Sequence, residues 1–256
     1  MNERFVRFRT SDIPEIRYGC LENDRITALT AAPWLGGQPT SSGVPLSHAT
    51  LCAPVEPSKI VCIGLNYHAH VAASFSADKP PDYPLIFLKP PSSIIDPNDQ
   101  IIHPPQSERV DYEAELGVVI GRRAKNVSET DAEQYIFGFT CVNDVTARDL
   151  QKKDGQWSRA KGFDTFCPIG PWIVTDLNWR DVLVEGILNG AVMQSGRTSR
   201  MIFNIPYLIS YISSAMTLMP GDIISTGTPS GIAPMKSGDV IEVRVEGIGT
   251  LANSMA

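Results

Sequence analysis

The 256-residue chain is 43% hydrophobic and 20% charged, a composition typical of a globular protein. Its 22 basic and 28 acidic residues give a net charge of −6 with no run of Lys or Arg, which argues against a nucleic-acid-binding surface. The opening residues lack an apolar signal segment, and no stretch approaches the roughly 18 apolar residues of a membrane span, so we expect a soluble cytoplasmic protein.

Residues 1–55 predict a small N-terminal β domain. The segments EIRYGCLE and ITALT have the short β-branched character of strands, and a loop rich in Gly, Pro and Ser follows from Gly36 to Ser47. We therefore expect one domain over residues 1–55 and a second, larger domain over residues 56–256.

The larger domain begins with continuous apolar runs that predict buried strands over KIVCIGL and PLIFLK. Between them lies the segment SADKPPDYP, whose prolines prevent a regular element and make it a candidate lid. A long strand is predicted from Asp111 to Ile120, and Ser128 with Asp131 predicts a helix over AEQYIF. FTCVND reads as a strand that leads into a helix over TARDLQK.

Towards the C-terminus, GILNGAVMQSG predicts a β-hairpin, and DIISTG, DVIEVRVEG and the GTL ending predict further strands. Asn204, with Pro206 at the first helical position, predicts the start of a helix through YLISYISSAM. The fold class expected from these elements is α+β, with a dominant, mixed and strand-rich core.

The five cysteines are scattered, odd in number and never spaced as CxxC. They are Cys20, Cys52, Cys62, Cys141 and Cys167. We expect buried free thiols in a reducing compartment, and a nucleophilic cysteine is the alternative.

Three carboxylates form the first candidate constellation. Glu113 and Glu115 alternate along one predicted strand and so point to the same face, where two like charges repel unless a cation lies between them. Asp144 ends the next strand, and three carboxylates suit Mg²⁺, Mn²⁺ or Ca²⁺. Alone, an E-x-E pair is more often a solvated strand face, and one Asp before a helix is more often its cap. The apolar run LGVVIG that follows indicates a strand entering a core.

Other side chains could complete a site around these carboxylates. Arg148 and Gln151 share one helix face and could bind a substrate carboxylate, although a helix-surface pair is the alternative. Lys161 could enter a pocket or lie on the surface, and Thr228 could bind an anionic oxygen or simply belong to a tight turn. One histidine of NYHAHV, which contains His68 and His70, could act as a base near neutral pH.

Seven runs, taken in order, carry a resemblance to a known family. They are IVCIGLNYHAHV, LIFLKPPSSII, VDYEAELGVVIG, GFTCVNDVTARDLQ, AKGFDTFCPIGPWIV, LNGAVMQSGRTSRMIF, and MTLMPGDIISTGTPSGI continued through VIEVRVEGIGTL. Together they resemble the catalytic C-terminal domain of the fumarylacetoacetate hydrolase family, from about Ser58 to Asn253. The resemblance implies a mixed β-roll with a small N-terminal domain, and a homodimer.

The resemblance also implies roles for individual residues. Positions that bind the metal in the family, usually Mg²⁺, correspond to Glu113, Glu115 and Asp144. Positions that contact the substrate correspond to Arg148, Gln151, Lys161 and Thr228. The family's catalytic histidine in N-Y-x-x-H corresponds to His70, whereas His68 has no counterpart.

Two positions depart from the family pattern. Members with a His–Glu dyad carry Glu three residues after the histidine, where this chain has Ala73 and no acidic residue before Asp78. Many small members also have Arg before the N-Y pair, where this chain has Leu65. The missing dyad partner puts a dyad-dependent attack by water in doubt.

The resemblance implies an enzyme that acts on a small 2-oxo acid or dicarboxylate. The bound metal would stabilise an enolate, Lys161 would neutralise developing negative charge, and His70 would move a proton or activate water. C–C hydrolysis, decarboxylation and isomerisation all share this enolate, and Ala73 shifts the expectation modestly towards tautomerase or isomerase chemistry. The alternatives are a non-catalytic member that binds metal and oxo acid, and a structural protein without metal.

Overall fold

The computed structural model describes residues 3–73 and 79–256, without the side chains of Ser42, Ala72 and Ala73. None of the helices formed by these residues is long and apolar enough to cross a bilayer. Single turns of 3-10 helix cover Pro33–Leu35, Leu46–His48, Pro91–Ser93, Ala132–Tyr135, Trp179–Asp181 and Thr198–Arg200.

The N-terminal segment is an antiparallel group of short strands. They are β1 (Arg4–Arg9), β2 (Arg17–Glu22), β3 (Arg25–Leu29), β4 (Pro39–Pro45) and β5 (Thr50–Cys52). The loop expected from Gly36 to Ser47 is therefore wrong in part, because it contains β4. This strand pairs with β3 and lies at the edge of the sheet, where prolines and glycines are tolerated because one side of the backbone needs no partner.

The middle of the chain supplies the strands that surround the site. They are β6 (Ile60–Gly64), β7 (Leu85–Lys89), β8 (Ile94–Ile95), β9 (Gln100–Ile101), β10 (Val110–Asp111), β11 (Ala114–Ile120), β12 (Ile136–Asn143), β13 (Thr146–Ala147) and β14 (Cys167–Val174). Three short helices accompany them, namely α1 (His68–Ala73), α2 (Arg148–Asp154) and α3 (Ser158–Gly162).

The C-terminal part continues with β15 (Leu183–Leu188), β16 (Ala191–Arg197), α4 (Ile205–Ala215), β17 (Ile223–Ser225), β18 (Val240–Val245) and β19 (Gly249–Met255). The predicted hairpin is confirmed: β15 and β16 pair across Asn189 and Gly190, whose φ angles of 50° and 80° suit a two-residue turn. The α4 cap is also confirmed, since the Asn204 side chain accepts a hydrogen bond from the Tyr207 N–H at 2.9 Å. Pro206 is the second helical residue rather than the first, because the helix begins at Ile205.

Two predicted elements of the larger domain differ from the structure. The strand expected from Asp111 to Ile120 is interrupted at Tyr112 and Glu113, because β10 pairs with β13 whereas β11 pairs with β12 and β17. The helix expected over AEQYIF is one 3-10 turn, although the Ser128 hydroxyl does donate to the Asp131 carboxylate at 2.7 Å. The helix cannot continue because Ile136 pairs with Ile120 as the first residue of β12.

The main sheet is mixed and runs in the order β4-β3-β2-β1-β14-β12-β11-β17-β6-β7, with β5 beside β1 and β8 beside β14. Its β17–β6 and β14–β8 pairs are parallel and its other pairs antiparallel. A second sheet has the order β16-β15-β18-β19-β9, and β10 and β13 form a separate two-stranded sheet. The strand-rich α+β class is confirmed. The division at residue 55 stays a prediction, because β1 extends the same sheet through β14.

The largest apolar core lies between β11, the second sheet and α4. Leu116 and Val118 of β11 pack there with Val184, Val243 and Ile212. Because strand residues alternate between faces, the other face of β11 is free to present polar side chains away from this core. That face carries Glu115 into a cavity.

Candidate active site

Glu115 lies in β11, with β12 on one side and β17 on the other. Its carboxylate Oε2 accepts hydrogen bonds from the Ser225 hydroxyl at 2.5 Å and from the Gly227 N–H at 2.8 Å. Both donors belong to β17 and the turn after it, which β11 reaches through its pairing with Ser225. The local pairing of three strands therefore fixes this acid in the protein interior.

Glu113 lies just before β11, at the interruption in the predicted strand. Its N–H donates to the Asn143 side-chain oxygen at 3.0 Å, and its carbonyl accepts from the Asp144 N–H at 2.9 Å. These bonds tie the start of β11 to the end of β12. They bring Asp144, thirty-one positions away in the chain, beside Glu113.

The three acids form one buried group. Glu113, Glu115 and Asp144 are 5%, 1% and 1% exposed, and one carboxylate oxygen of each lies within 4.8 Å of the other two. Such closely spaced carboxylates are stable only with positive charge or protons between them. The group could bind a metal ion, because three carboxylate oxygens match the oxygen ligands that hard divalent cations prefer.

Two buried lysines offset part of this negative charge. The Lys161 ammonium donates to Glu113 at 2.9 Å and to Asp144 at 2.5 Å, and it lies 4.8 Å from the centre of the Phe87 ring. Lys89 donates to the other Asp144 oxygen at 2.7 Å and to the Val145 carbonyl at 3.0 Å. Burial acts to lower the pKa of Lys161, but the Asp144 and Glu113 carboxylates outweigh it and raise that pKa.

These surroundings shift the pKa values of Glu113 and Glu115 in opposite directions. Burial acts to raise the pKa of Glu113, but Lys161 and Arg148 hold that pKa below its ordinary value. Burial and the carboxylates of Asp144 and Glu113 raise the pKa of Glu115 well above its ordinary value. Among the described residues Glu115 has no ion-pair partner, so it is the acid of the group that most needs an added cation.

His70 is buried in α1 and faces the same cavity, whereas His68 is exposed. Burial lowers the pKa of His70 below its ordinary value, although the Glu113 carboxylate acts in the opposite direction. Burial therefore favours the neutral imidazole, the form that is able to accept a proton. Ala73 is the last residue of α1, and the candidate lid falls partly on residues 74–78, including Asp78, which lie outside the described residues.

Arg148 and Gln151 lie on the face of α2 that lines the cavity. The Arg148 guanidinium contacts three partners: it donates to Asp111 at 2.9 Å, to Gln151 Oε1 at 2.6 Å and to Glu113. These bonds hold the guanidinium in one orientation next to the acidic group. An anionic substrate bound there would meet an already oriented cation.

Thr228 lines the cavity, but its hydroxyl is engaged in the protein framework. The hydroxyl donates to the Ala114 carbonyl at 2.8 Å and accepts from the Gln194 side-chain nitrogen at 2.8 Å. Contact with a substrate oxygen would therefore use the remaining lone pair or nearby backbone groups rather than the hydroxyl proton. Its substrate-contacting role stays a prediction.

All eight predicted site residues line one cavity of about 500 Å³. They are His70, Glu113, Glu115, Asp144, Arg148, Gln151, Lys161 and Thr228. Leu65, which stands where many small members have Arg, lines the same cavity with a φ of 56°. The five cysteines are free, and burial raises the pKa of Cys62, Cys141 and Cys167, so none of these three is an activated thiol.

Sequence reasoning missed two charged residues of the site, Lys89 and Asp111. Lys89 ends an apolar strand, a place where a lysine is usually solvated, so nothing local marked its contact with Asp144. Asp111 precedes Glu113 by two residues and accepts from both Arg109 and Arg148. The alternation of acids in DYEAE was the signal that could have found it.

A family model described as fumarylacetoacetate (FAA) hydrolase C-terminal matches residues 59–256, and one described as Rv2993c-like, N-terminal, matches residues 3–54. The chain belongs to the fumarylacetoacetate hydrolase family. This membership confirms the family expected from the seven sequence runs.

Several relatives that this chain resembles carry the names of enzymes. The mitochondrial oxaloacetate tautomerase Fahd2a of Rattus norvegicus is 41% identical over 224 residues, covering 83% of this chain and 71% of the relative. The 2,4-didehydro-3-deoxy-L-rhamnonate hydrolase of Sphingomonas sp. (strain SKA58) is 40% identical over 258 residues, covering 96% and 86%. The crystal structure of 5-carboxymethyl-2-hydroxymuconate delta-isomerase from Mycobacterium smegmatis matches with a TM-score of 0.92 and 44% identity over 99% of each chain. The β-roll fold of the family and an enzymatic role are thereby confirmed for this chain.

Proposed function

We propose that this protein is a divalent-metal-dependent enzyme that interconverts the keto and enol forms of a small 2-oxo acid or dicarboxylate. The observation that carries the proposal is the buried group of three carboxylates within 4.8 Å, facing a cavity that also contains Lys161, Arg148 and His70. Family membership supports the enzyme class. The metal, the substrate and the reaction are our inference.

Glu113, Glu115 and Asp144 would hold the metal, and Mg²⁺ fits this all-oxygen ligand set best. When bound, a divalent cation acts as a Lewis acid that stabilises the enolate of a 2-oxo acid. Glu115 supports this assignment further, because both of its hydrogen bonds among the described residues go to Oε2 and leave Oε1 available.

The chain's own groups would then orient the substrate and move one proton. Arg148 would bind the substrate carboxylate, since its guanidinium is held by Asp111 and Gln151. Lys161 would stabilise negative charge that develops on the substrate oxygen. The neutral imidazole of His70 would remove the proton from C3 of the keto form and deliver it to the oxygen on C2 to give the enol, and in the reverse direction it would take the enol O–H proton and return it to C3.

Tautomerisation needs no attacking water, which favours it over hydrolysis here. The acidic partner of the family's catalytic histidine is replaced by Ala73, so the group that would activate water is missing from that position. Similarity to a rat oxaloacetate tautomerase and a mycobacterial isomerase supports the same choice. Similarity to a Sphingomonas hydrolase keeps C–C hydrolysis as the second candidate. The homodimer and the cytoplasmic location stay predictions.

The test starts from the enol form of oxaloacetate, mixed with the protein while enol absorbance is followed. We expect Mg²⁺-dependent acceleration of ketonisation, and Glu115→Gln should reduce it by about 100-fold because it removes one anionic ligand. Faster cleavage of acylpyruvates than ketonisation would favour the hydrolase. Oxo-acid binding without turnover of either substrate would favour the non-catalytic alternative and contradict the proposal.

A further inference from the structure

The strand β11 loses its neighbour on one side where the acidic group begins. On that side it pairs with β17 over residues 117–119, and the ladder ends where the Thr226 N–H donates to the Leu116 carbonyl at 3.1 Å. Ala114 lies two residues beyond this bond and is fully buried. Its N–H and carbonyl on the β17 side therefore need other partners, because an unpaired backbone group in the interior costs free energy.

The side chains of Gln194 and Thr228 supply these partners. Gln194 of β16 is fully buried, and its Oε1 accepts from the Ala114 N–H at 2.9 Å. The Thr228 hydroxyl donates to the Ala114 carbonyl at 2.8 Å. Gln194 Nε2 closes the ring by donating to that hydroxyl at 2.8 Å, and it also donates to the Pro229 carbonyl at 2.7 Å. Only this orientation of the amide is possible, because the reversed one would set donor against donor at Ala114.

Two glycines make room for this hydrogen-bonded ring. Gly186 of β15 pairs with Gln194, and a Cβ on Gly186 would lie 2.7 Å from the Gln194 Oε1. A Cβ on Gly231 would lie 2.0 Å from the Met193 carbonyl oxygen, so a side chain there would push the turn after β17 away from β16. The absence of both side chains lets three segments of the chain meet around one amide.

The ring holds the backbone between two predicted metal ligands. The Ala114 N–H belongs to the peptide unit shared with Glu113, and the Ala114 carbonyl belongs to the unit shared with Glu115. Each peptide unit is a rigid plane, so the two units can change their relative direction only by rotation about Ala114. Gln194 holds the first unit and Thr228 holds the second. Rotation at Ala114 would break at least one of these bonds.

We propose that Gln194 is a positioning residue for the metal site. It does not line the cavity and acts through Ala114 and Thr228. By fixing this backbone it keeps Glu113 and Glu115 in the arrangement that lets one cation contact both carboxylates. The positions of the two glutamates are a property of the chain alone, whereas their effect on a cation rests on the proposed function.

The test uses variants of similar shape that remove one part of the ring. Gln194→Met removes the acceptor and the donors of the amide, Thr228→Val removes the hydroxyl, and Thr228→Ser keeps it. The matched control is Asn253→Leu, which removes another buried amide, outside the cavity, that donates to the Asp96 and Asp99 carbonyls at 3.0 Å. Because Thr228→Val breaks the same ring from its other side, a folding failure of Gln194→Met does not decide the result.

Three measurements separate positioning from stability. Titration calorimetry gives the Kd of Mg²⁺ without substrate, and urea denaturation with EDTA gives the stability of the metal-free protein. Crystal structures of the metal-free wild type, Gln194→Met and Asn253→Leu give the positions of the Glu113 and Glu115 carboxylates.

Gln194→Met and Thr228→Val should each raise the Kd of Mg²⁺ about ten-fold, as expected when an outer partner of metal ligands is lost. Thr228→Ser should stay close to the wild-type Kd. The double variant should lose much less affinity than the two single losses combined, because the two side chains act as one unit. Asn253→Leu should lower the stability of the metal-free protein and leave the Kd unchanged. The two glutamate carboxylates should be displaced in Gln194→Met and keep their positions in Asn253→Leu.

The two proposals fail in different ways. If the wild type binds no divalent cation, the proposed metal-dependent function fails, and the crystal structures still decide whether Gln194 positions the two carboxylates. If both carboxylates keep their wild-type positions in Gln194→Met, the positioning role is overturned. Equal Kd values of Mg²⁺ for Gln194→Met and Asn253→Leu would overturn it as well.

Discussion

At the scale of single residues, the site is a balance of buried charges. Its acids are Asp111, Glu113, Glu115 and Asp144, and its largely buried cations are Lys89, Arg148 and Lys161. Ion pairs hold three of the acids, and Glu115 relies on a hydroxyl and a backbone N–H. A divalent cation would complete this balance.

Lys89→Met tests this balance at one of the residues that sequence reasoning missed. Lys89 and Asp144 are both buried, so removing the ammonium leaves a buried carboxylate with one cation fewer and should cost about 3 kcal/mol of unfolding free energy. Mg²⁺ should recover more stability in this variant than in the wild type, because a bound metal restores the charge and no longer meets the repulsion of Lys89. The measurement is urea denaturation with and without Mg²⁺.

The matched control is Lys59→Met, which breaks a second ion pair with a buried acid, Asp222, outside the cavity. Asp222 keeps hydrogen bonds from the backbone N–H groups of Ser58 and Met219, so the loss should be smaller and Mg²⁺ should restore none of it. An equal gain from Mg²⁺ in the wild type and in Lys89→Met would contradict a metal site beside Asp144.

At the scale of elements, α4 is stabilised both by a local capping signal and by tertiary packing. Its N-terminus is fixed locally by Asn204, and its apolar face packs Leu208 and Ile212 against the main core. The Asn204 side chain satisfies a helix N–H that the first turn would otherwise leave unpaired. The cap therefore contributes to stability without any contact with the core.

Asn204→Ala should lower the unfolding free energy by about 1 kcal/mol, because it removes the bond to the Tyr207 N–H. Ser214→Ala on the same helix is the control, since that hydroxyl is exposed and donates to the Tyr211 carbonyl within the helix. Its effect should stay within about 0.5 kcal/mol. Chemical denaturation measures both, and equal losses in the two variants would rule out a specific capping contribution.

The elements that could be predicted from the sequence are those that a local sequence signal determines. Apolar runs predict β6, β7 and β12, and the Asn-Gly turn predicts the β15–β16 hairpin. The strand β4 could not be predicted, because a Gly- and Pro-rich segment becomes a strand only through pairing with β3. The same limit applies to the site. Spacing alone was compatible with a surface, cap or turn position for each charged residue, and only the family resemblance predicted that they share one site.

At the scale of the whole molecule, the N-terminal strands are joined to the rest by pairing and by packing. β1 lies between β2 and β14 in the main sheet, and the buried Arg7 guanidinium donates to the Ala53 carbonyl at 3.0 Å. Ala53 and Val55 belong to a core shared with Ile169 and Ile173 of β14. The N-terminal segment and the site-bearing part should therefore unfold together, in one cooperative transition.

Phe8→Ala tests this coupling, because Phe8 is fully buried in the N-terminal core and far along the chain from the site. The substitution should cost about 3 kcal/mol and should lower the temperature of the single transition rather than split it. The control is Leu35→Ala in the same segment. It changes a side chain that is 67% exposed and should leave the transition temperature almost unchanged. Calorimetry measures the heat of unfolding. Mg²⁺ should raise the midpoint temperature of the single transition in the wild type and in both variants. The opposite result would be two resolved transitions. If Phe8→Ala lowered the temperature of one and Mg²⁺ raised the temperature of only the other, the N-terminal strands would unfold independently of the site.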